Sequence, residues 1–315
     1  MIKLSIIIVN YHSEKLLENC LASVFHANNL LMEVIVVNNN EGNKQINDIR
    51  EKFPLIRLIE NGKNIGFAAA NNIAIKESKG DYLLLLNPDA SLYPEAACRM
   101  TNFMDNHPDA GIIGAQLLDT KGNLHPQPSC TGIFPSPLQA LFEYANLTIL
   151  FPCHPLVRDY FLFSWDHKNI REIATVQGAC FMARRQLLEN EGLLDERFFL
   201  YWEETDLCLR AKKAGWKVFY FPQAQCTHIG GQSTINKKLD YYHFFKSMYR
   251  FHKKHYGAMP SILLRIILAC AFTFGIFKLA LQNAMSTNNT TQPKLKPLLN
   301  SALANLGIRK TLYEG

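Results

Sequence analysis

No two of the eight cysteines (Cys20, Cys98, Cys130, Cys153, Cys180, Cys208, Cys226 and Cys270) form a Cys-x-x-Cys pair, and their spacing is irregular. That argues against a zinc framework and against a disulfide scaffold, and it leaves reduced thiols in an intracellular compartment as the expectation. Nor is a cleavable leader expected. The opening MIKLSIIIVNY has one Lys before its apolar run and no small-residue cleavage site after it, which predicts a buried strand and a cytoplasmic protein. Acidic residues are scarce at the other end: residues 236–315 hold 12 Lys or Arg against Asp240 and Glu314, whereas residues 1–235 hold 21 basic against 25 acidic side chains. A nucleic-acid binder should line its folded domain with positive charge, so no nucleic acid is expected. A basic tail on a mildly acidic body suits an anionic membrane surface instead. Long uninterrupted apolar runs are absent too. SILLRIILACAFTFGIFKLALQ is broken by Arg265 and Lys278, with 12 uncharged residues between them, where a bilayer-spanning helix needs about 20. A helix lying in the interface, or packed on the body, is the expectation.

What is there is a chain of 315 residues, 48% hydrophobic, without repeats or low-complexity segments. That is enough for a main globular domain at 1–235 with an appendage at 236–315. LSIIIVNY, EVIVVNNN, LIRLIEN and DYLLLLNPDA read as strands, while EKLLENCLASVF and GFAAANNIAIKES repeat apolar or small residues at helical spacing. Alternating strands and helices predict an α/β fold with a mostly parallel sheet covered by helices on both faces. Such sheets bind ligands beyond the carboxyl ends of their strands, where NYHSE, NNNEGN and NPDA fall. PEAACRMTNFMDN reads as a further helix, AGIIGAQLL as a strand and ATVQGACFMARRQLLEN as strand into helix, whereas residues 119–173 show no clear period. WKVFYFP reads as a strand closed by Pro222.

Among polar residues, Asp89 follows a strand in an Asn87-Pro88-Asp89-Ala90 turn. A carboxylate there can hold a divalent cation against a phosphate, or can simply close an Asx turn. Glu203, Glu204 and Asp206 open the helical stretch EETDLCLRAKKAG. First-turn acids offset the helix dipole by roughly 0.3–1 kcal/mol each, and Asp206 can pair with Arg210 four residues on. Helix electrostatics do not explain the preceding Tyr201 and Trp202, a pair able to wall a pocket and raise the basicity of a neighbouring carboxylate by desolvation. His228, before Gly230 and Gly231, is either a hydrogen-bonded structural residue or a companion to Asp89.

Taken in order, SIIIVNYHSEKLLENCLAS, VIVVNNNEGN, NGKNIGFAAANNIAI, DYLLLLNPDA, VQGACFMARRQLLENEGLLDERFFLYWEETDLCLRAKKAGWKVFYFP and CTHIGGQS resemble the family-two inverting glycosyltransferases of the GT-A fold. The resemblance covers about residues 3–235, and the LNPDA and DERFFLYWEETDLCLRAKKAGW versions look most like the rhamnosyltransferase branch, which uses dTDP-rhamnose for bacterial surface polysaccharides. It implies a Rossmann-like nucleotide-binding sheet with a helical C-terminal segment. It also implies magnesium or manganese as cofactor, a nucleotide-sugar donor and a glycan or polyprenyl-linked acceptor. It makes Asp89 the metal ligand bridging to the donor diphosphate, His228 a second contact to metal or phosphate, Glu204 the general base and Glu203 the acid preceding it. Asn10, Tyr11, Asn38, Asn40, Asn64 and Asn87 are then candidates for the nucleotide sugar, with Gly178, Tyr201 and Trp202 for the sugar and acceptor pocket. Two positions depart from the family: Asn38 and Glu204 stand where Asp is common.

The aromatic and basic stretch from Asp240 to His255 suits a peripheral position at the inner face of the cell membrane, and equally a helix packed on the body or a homodimer contact. A nucleotidyltransferase would share the sheet, but VNYHSEKL lacks the Gly-rich basic loop it needs. A glycoside hydrolase needs two opposed carboxylates, and side chains of neighbouring Glu203 and Glu204 diverge by about 100° on a helix. A non-catalytic sugar-nucleotide-binding protein is the rival of a different class.

Overall fold

The computed structural model describes residues 2–26, 31–41, 45–125, 130–145, 147–162, 165–230 and 237–285, together with 302 and 305. The chain divides into two compact units. One comprises Met1–Phe134, Phe161–Phe199 and Glu203–Ile235, the other Pro135–Tyr160, Leu200–Trp202 and Asn236–Gly315. The boundary expected at 235/236 lies outside the described residues, and the second unit also takes in 135–160 and 200–202.

The first unit begins with β1 (Leu4–Asn10), α1 (Glu14–His26), β2 (Met32–Asn38), α2 (Gln45–Lys52), β3 (Ile56–Glu60), α3 (Phe67–Glu77) and β4 (Tyr82–Leu86). There follow β5 (Ala90–Leu92), α4 (Ala96–Asn106), β6 (Ala110–Leu118) and β7 (Cys130–Thr131). After α5 (Pro137–Tyr144), α6 (Leu147–Leu150) and α7 (Pro155–Phe161) come β8 (Arg171–Glu172), β9 (Thr175–Val176), β10 (Cys180–Arg184), α8 (Arg185–Glu191), α9 (Glu203–Lys213) and β11 (Lys217–His228). The main sheet runs β3-β2-β1-β4-β10-β6-β11-β5, with β8 also on β11. Strands β1, β2, β3, β4, β6 and β11 point one way, and β5, β8 and β10 are antiparallel to their neighbours.

Every residue of β1, β4 and β6 is buried, as expected of strands covered on both sides. Alternation then sorts their side chains into two cores. Ile6, Ile8, Leu84 and Leu86 pack with Leu17 and Leu21 of α1 and Met100 of α4, while Ile7, Val9, Leu83 and Leu85 pack with Ala70 and Ala74 of α3 and Leu207 of α9. The small residues of α3 let it lie close to the sheet, and Gly66 before it (φ 90°) admits no side chain: a Cβ there would lie 2.7 Å from the Phe199 carbonyl oxygen, which accepts the Phe67 N–H at 2.7 Å.

One expectation fails. Pro222 does not close its strand. β11 continues to His228 because Pro222 sits in a bulge: Phe221 pairs with Ala115 and Gln225 with the next residue, Gln116, leaving 222–224 outside the ladder. A bulge is where a strand tolerates a residue without an N–H.

In the second unit, Ser136 caps α5 by accepting the Gln139 N–H at 3.1 Å, with Pro137 at its first position. Helices α10 (Lys237–Tyr256) and α11 (Ala258–Met285) pack on each other, and α11 packs on α5. Buried Phe245, Met248, Phe251, Leu264, Leu268 and Phe272 line that core. Arg265 is tied down, its guanidinium 5.6 Å from the Tyr249 ring and its Nε 2.9 Å from the Asn305 carbonyl. The stretch Ala258–Phe277 is long and apolar enough, by length and composition, to cross a membrane.

Candidate active site

At the carboxyl ends of β1 and β2 the asparagines form one network. Asn10 and Asn38 are directly opposite in the parallel register. Asn10 Nδ2 donates to Asn38 Oδ1 at 3.1 Å and to Glu14 Oε1 at 3.0 Å, and Asn40 Nδ2 donates to the same Glu14 oxygen at 2.8 Å. The Asn40 Oδ1 accepts the His12 N–H at 3.0 Å, where φ of 50° turns the chain out of β1 past Tyr11. Asn64 belongs to an adjoining cluster: its Oδ1 accepts from Asn39 Nδ2 at 2.9 Å and from the Gly66 N–H at 3.0 Å. The Asn39 Oδ1 in turn accepts from Asn61 Nδ2 at 3.1 Å and the Ile65 N–H at 3.2 Å. Sequence reasoning missed Glu14, Asn39 and Asn61.

Beyond β4 the polar groups are in another condition. The Asn87 N–H donates to the Ala179 carbonyl at 2.9 Å, which fastens the Asn87–Asp89 turn to the start of β10. Asp89 is 3% exposed and His228 6%, and the Ile229 N–H donates to the Asp89 carbonyl at 3.1 Å. His228 Nε2 lies 3.4 Å from Asp89 Oδ1, yet among the described residues neither Asp89 oxygen nor His228 Nδ1 has a hydrogen-bond partner. A buried polar atom without a partner costs about 1–3 kcal/mol, and more for a charged group. A carboxylate oxygen suits magnesium or manganese, and an imidazole nitrogen beside it favours manganese of the two. Among the described residues no three His, Cys, Asp or Glu side chains form a ready metal cage. That fits a cation whose coordination is completed by substrate phosphates and water rather than by protein alone.

The three acids of α9 separate clearly. Asp206 is fully buried and held by Arg210, Nε to Oδ2 at 2.9 Å, while the guanidinium also donates to the carbonyls of Glu191, Gly192 and Leu193. It is a structural residue, as its spacing implied. Glu203 and Glu204 each keep one buried oxygen without a hydrogen-bond partner among the described residues. Burial, and then the charge of Glu204, pushes the Glu203 carboxyl well above the usual range. Burial raises Glu204 as well, but backbone hydrogen bonds at Glu204, Thr205 and Gly178 counter it. The Gly178 backbone faces this carboxylate, a Cβ there falling 3.6 Å from Glu204 Cδ. Because Ala179 holds the Asp89 turn, Glu204 and Asp89 flank the same short stretch of chain.

Tyr201 and Trp202 belong to the second unit. The Trp202 ring centroid lies 5.1 Å from that of Phe251 and 5.8 Å from that of Phe244, and Tyr201 meets Phe244 at 5.9 Å. Both adopt left-handed backbone, φ 66° and 75°. Bulky residues reach that region at roughly 1–3 kcal/mol each, a strain that concentrates at functional segments.

This sheet, with antiparallel β10 inserted beside β4 and polar loops at the strand ends, is that of the GT-A glycosyltransferases. The mannosyltransferase PcManGT of Pyrobaculum calidifontis, solved with GDP-Man and Mn2+, superposes with a TM-score of 0.60 at 14% identity, over 98% of this chain and 88% of its own. More particularly, the chain belongs to glycosyl transferase family 2: residues 5–164 match the family described as Glycosyl transferase family 2, and residues 140–300 match Glycosyl transferase family group 2. The N-acetylglucosaminyl-diphospho-decaprenol L-rhamnosyltransferase of Mycobacterium tuberculosis is 27% identical over 242 residues, 73% of this chain and 77% of its own. The dTDP-rhamnosyl transferase RfbF of Shigella flexneri is 23% identical over 232 residues, 73% of this chain and 70% of its own.

Proposed function

We propose that the protein transfers a sugar, with inversion, from a nucleotide sugar to a hydroxyl of a lipid-linked or oligosaccharide acceptor in surface-polysaccharide synthesis. L-Rhamnose from dTDP-rhamnose is the donor we favour, on the strength of the two rhamnosyltransferases above. The observation that carries the reading is the buried Asp89–His228 pair beyond a parallel strand, whose carboxylate oxygens and Nδ1 have no hydrogen-bond partner among the described residues.

The chain's residues divide the work. Asn10, Asn38 and Asn40 shape the edge that takes the nucleoside, with Asn38 offering an amide where the family commonly has a carboxylate. Asp89 and His228 would hold a divalent cation, which when bound neutralises charge on the departing nucleoside diphosphate. Glu204 takes the proton of the acceptor hydroxyl as that oxygen attacks the anomeric carbon from the face opposite the leaving group. Glu203 is the poorer base because it holds its own proton: burial beside Glu204 leaves room for one negative charge, and the backbone donors favour Glu204.

Release of nucleoside diphosphate from a panel of dTDP-, UDP- and GDP-sugars, with and without magnesium or manganese, tests this. Turnover with one donor and loss on chelation are expected, and the anomeric configuration of the product, read by NMR, should be opposite to that of the donor. No turnover with any donor and acceptor would favour a sugar-nucleotide-binding protein without activity.

We also place the protein at the inner face of the cell membrane. What supports this is the outward face of α11, with Met259, Ile262, Leu263, Ile266, Phe274 and Phe277 exposed, and exposed Lys253 and Lys254 at the end of α10. The full-length protein should float with anionic vesicles and less with zwitterionic ones. A concentration-dependent dimer that floats with neither would assign the face to a second copy.

A further inference from the structure

His125 stands outside every strand and helix, yet the fold brings it to the Asp89–His228 edge. Leu118 bridges antiparallel to Leu124, and the turn between them is closed by Asp119, whose Oδ1 accepts the Lys121 and Asn123 N–H groups at 2.8 and 2.9 Å. The returning chain is fixed again by the His125 N–H, which donates to the Leu117 carbonyl at 3.0 Å. His125 and His228 thus arrive with ring centroids 5.0 Å apart and planes inclined by 35°. Gly230 lies against both rings. At φ 70°, a Cβ on it would lie 3.2 Å from His125 Nε2 and 3.8 Å from His228 Cε1, so a glycine lets the backbone pass close to both imidazoles where a side chain would crowd them.

The chemistry of this edge is lopsided without His125. Asp89 repels phosphate oxygens directly, and among the described residues the cluster does not amount to a protein-only metal cage. An anion brought here needs neutral or cationic N–H donors beside the carboxylate, and imidazole is such a donor. Asp89 and His228, both more than nine-tenths buried, keep polar atoms that nothing in the described chain satisfies. We propose that His125 is a third member of this edge, donating a ring N–H to a phosphate oxygen of the donor's diphosphate. The inference rests on the glycosyltransferase reading above.

Calorimetric titration of the full-length protein with UDP, dTDP and GDP, and with the corresponding monophosphates, each in the presence of manganese, tests it. The wild type should bind at least one diphosphate. For that nucleotide, His125→Ala should weaken diphosphate binding roughly tenfold, the loss expected for one hydrogen bond to a charged group, and leave the monophosphate unchanged. His125→Gln, which keeps an N–H donor, should recover part of it. Diphosphate affinity within about twofold of wild type in His125→Ala would overturn the proposal. So would equal weakening of mono- and diphosphate, because the lost contact would then not be to the group that distinguishes the two nucleotides. A wild type that binds none of the nucleotides would overturn the functional reading, and this inference with it.

Discussion

Two polar edges lie side by side at the strand ends, and their hydrogen bonding is opposite. Around Asn10, Asn38 and Asn39 the amide groups bond to one another and to Glu14, Asn61 and the backbone. Around Asp89, His228, Glu203 and Glu204, buried oxygens and a ring nitrogen have no hydrogen-bond partner among the described residues. The first edge stabilises the loops that form it. The second is retained at a cost of about 1–3 kcal/mol per unsatisfied group, the pattern expected where ligands complete the bonding.

Substitutions on the two edges should therefore move activity and stability in opposite senses. The largest effect is expected from Asp89→Asn: kcat/KM falls about a thousandfold or more, in the range found when a group stabilising developing charge is removed. Thermal unfolding should stay at or above the wild-type temperature, since a buried carboxylate whose oxygens find no hydrogen bond among the described residues has gone. Next comes Glu204→Gln, expected to lower kcat by roughly 10²–10⁴-fold with donor affinity retained in equilibrium binding. If Glu203→Gln does this instead, the two acids exchange roles. On the bonded edge, Asn39→Ala leaves Asn64, Asn61 and the Ile65 N–H short of partners, and urea unfolding should show a loss of about 1–3 kcal/mol.

The smallest effect is expected from Glu203→Gln on stability. In the folded chain Glu203 keeps its proton well above the usual carboxylate range, whereas in the unfolded chain it ionises near pH 4.3. Stability contributed by this proton is present below that pH and is lost as pH rises through the folded value. Gln carries no such dependence, so the variant should be the more stable at pH 7 and lose that advantage below about pH 4 in parallel denaturant titrations.

Much of the first unit was legible because its signals are local. A β-branched run followed by Asn, or YLLLL followed by Asn-Pro-Asp, specifies a strand and the polar residue at its end within ten positions. The Asp206–Arg210 pair follows from one helical turn. Contacts that join distant segments were not legible: Asn39 reaches Asn64 across 25 residues and Asn40 reaches Glu14 across 26, and nothing near Asn39 distinguishes it from its neighbours in the run. Helix α2 gave no signal because only Ile46 and Ile49 mark its buried side. Residues 135–160 carry short apolar runs without a period, and their place in the second unit depends on helices that follow about a hundred residues later. Pro222 misled because the rule that proline ends a ladder holds for regular strands, and a bulge supplies the exception.

That bulge also governs which way the end of β11 faces. Before it, even-numbered Val218 and Tyr220 share the core with α9; after it, even-numbered Ala224 and Cys226 share the core with α1 and α4. Three residues set outside the ladder are an odd step, so the strand changes phase, and His228 emerges opposite Ala90 on the same face as Cys226 and Leu92. Length changes between Phe221 and Gln225 are therefore of two kinds: one taken up within 222–224 keeps Gln225 on Gln116 and His228 on its face, whereas one that slips the ladder by a single residue would turn His228 through the sheet. In this segment the pairing that survives a length change, more than the size or composition of the change, decides whether the histidine remains on the face it shares with Ala90.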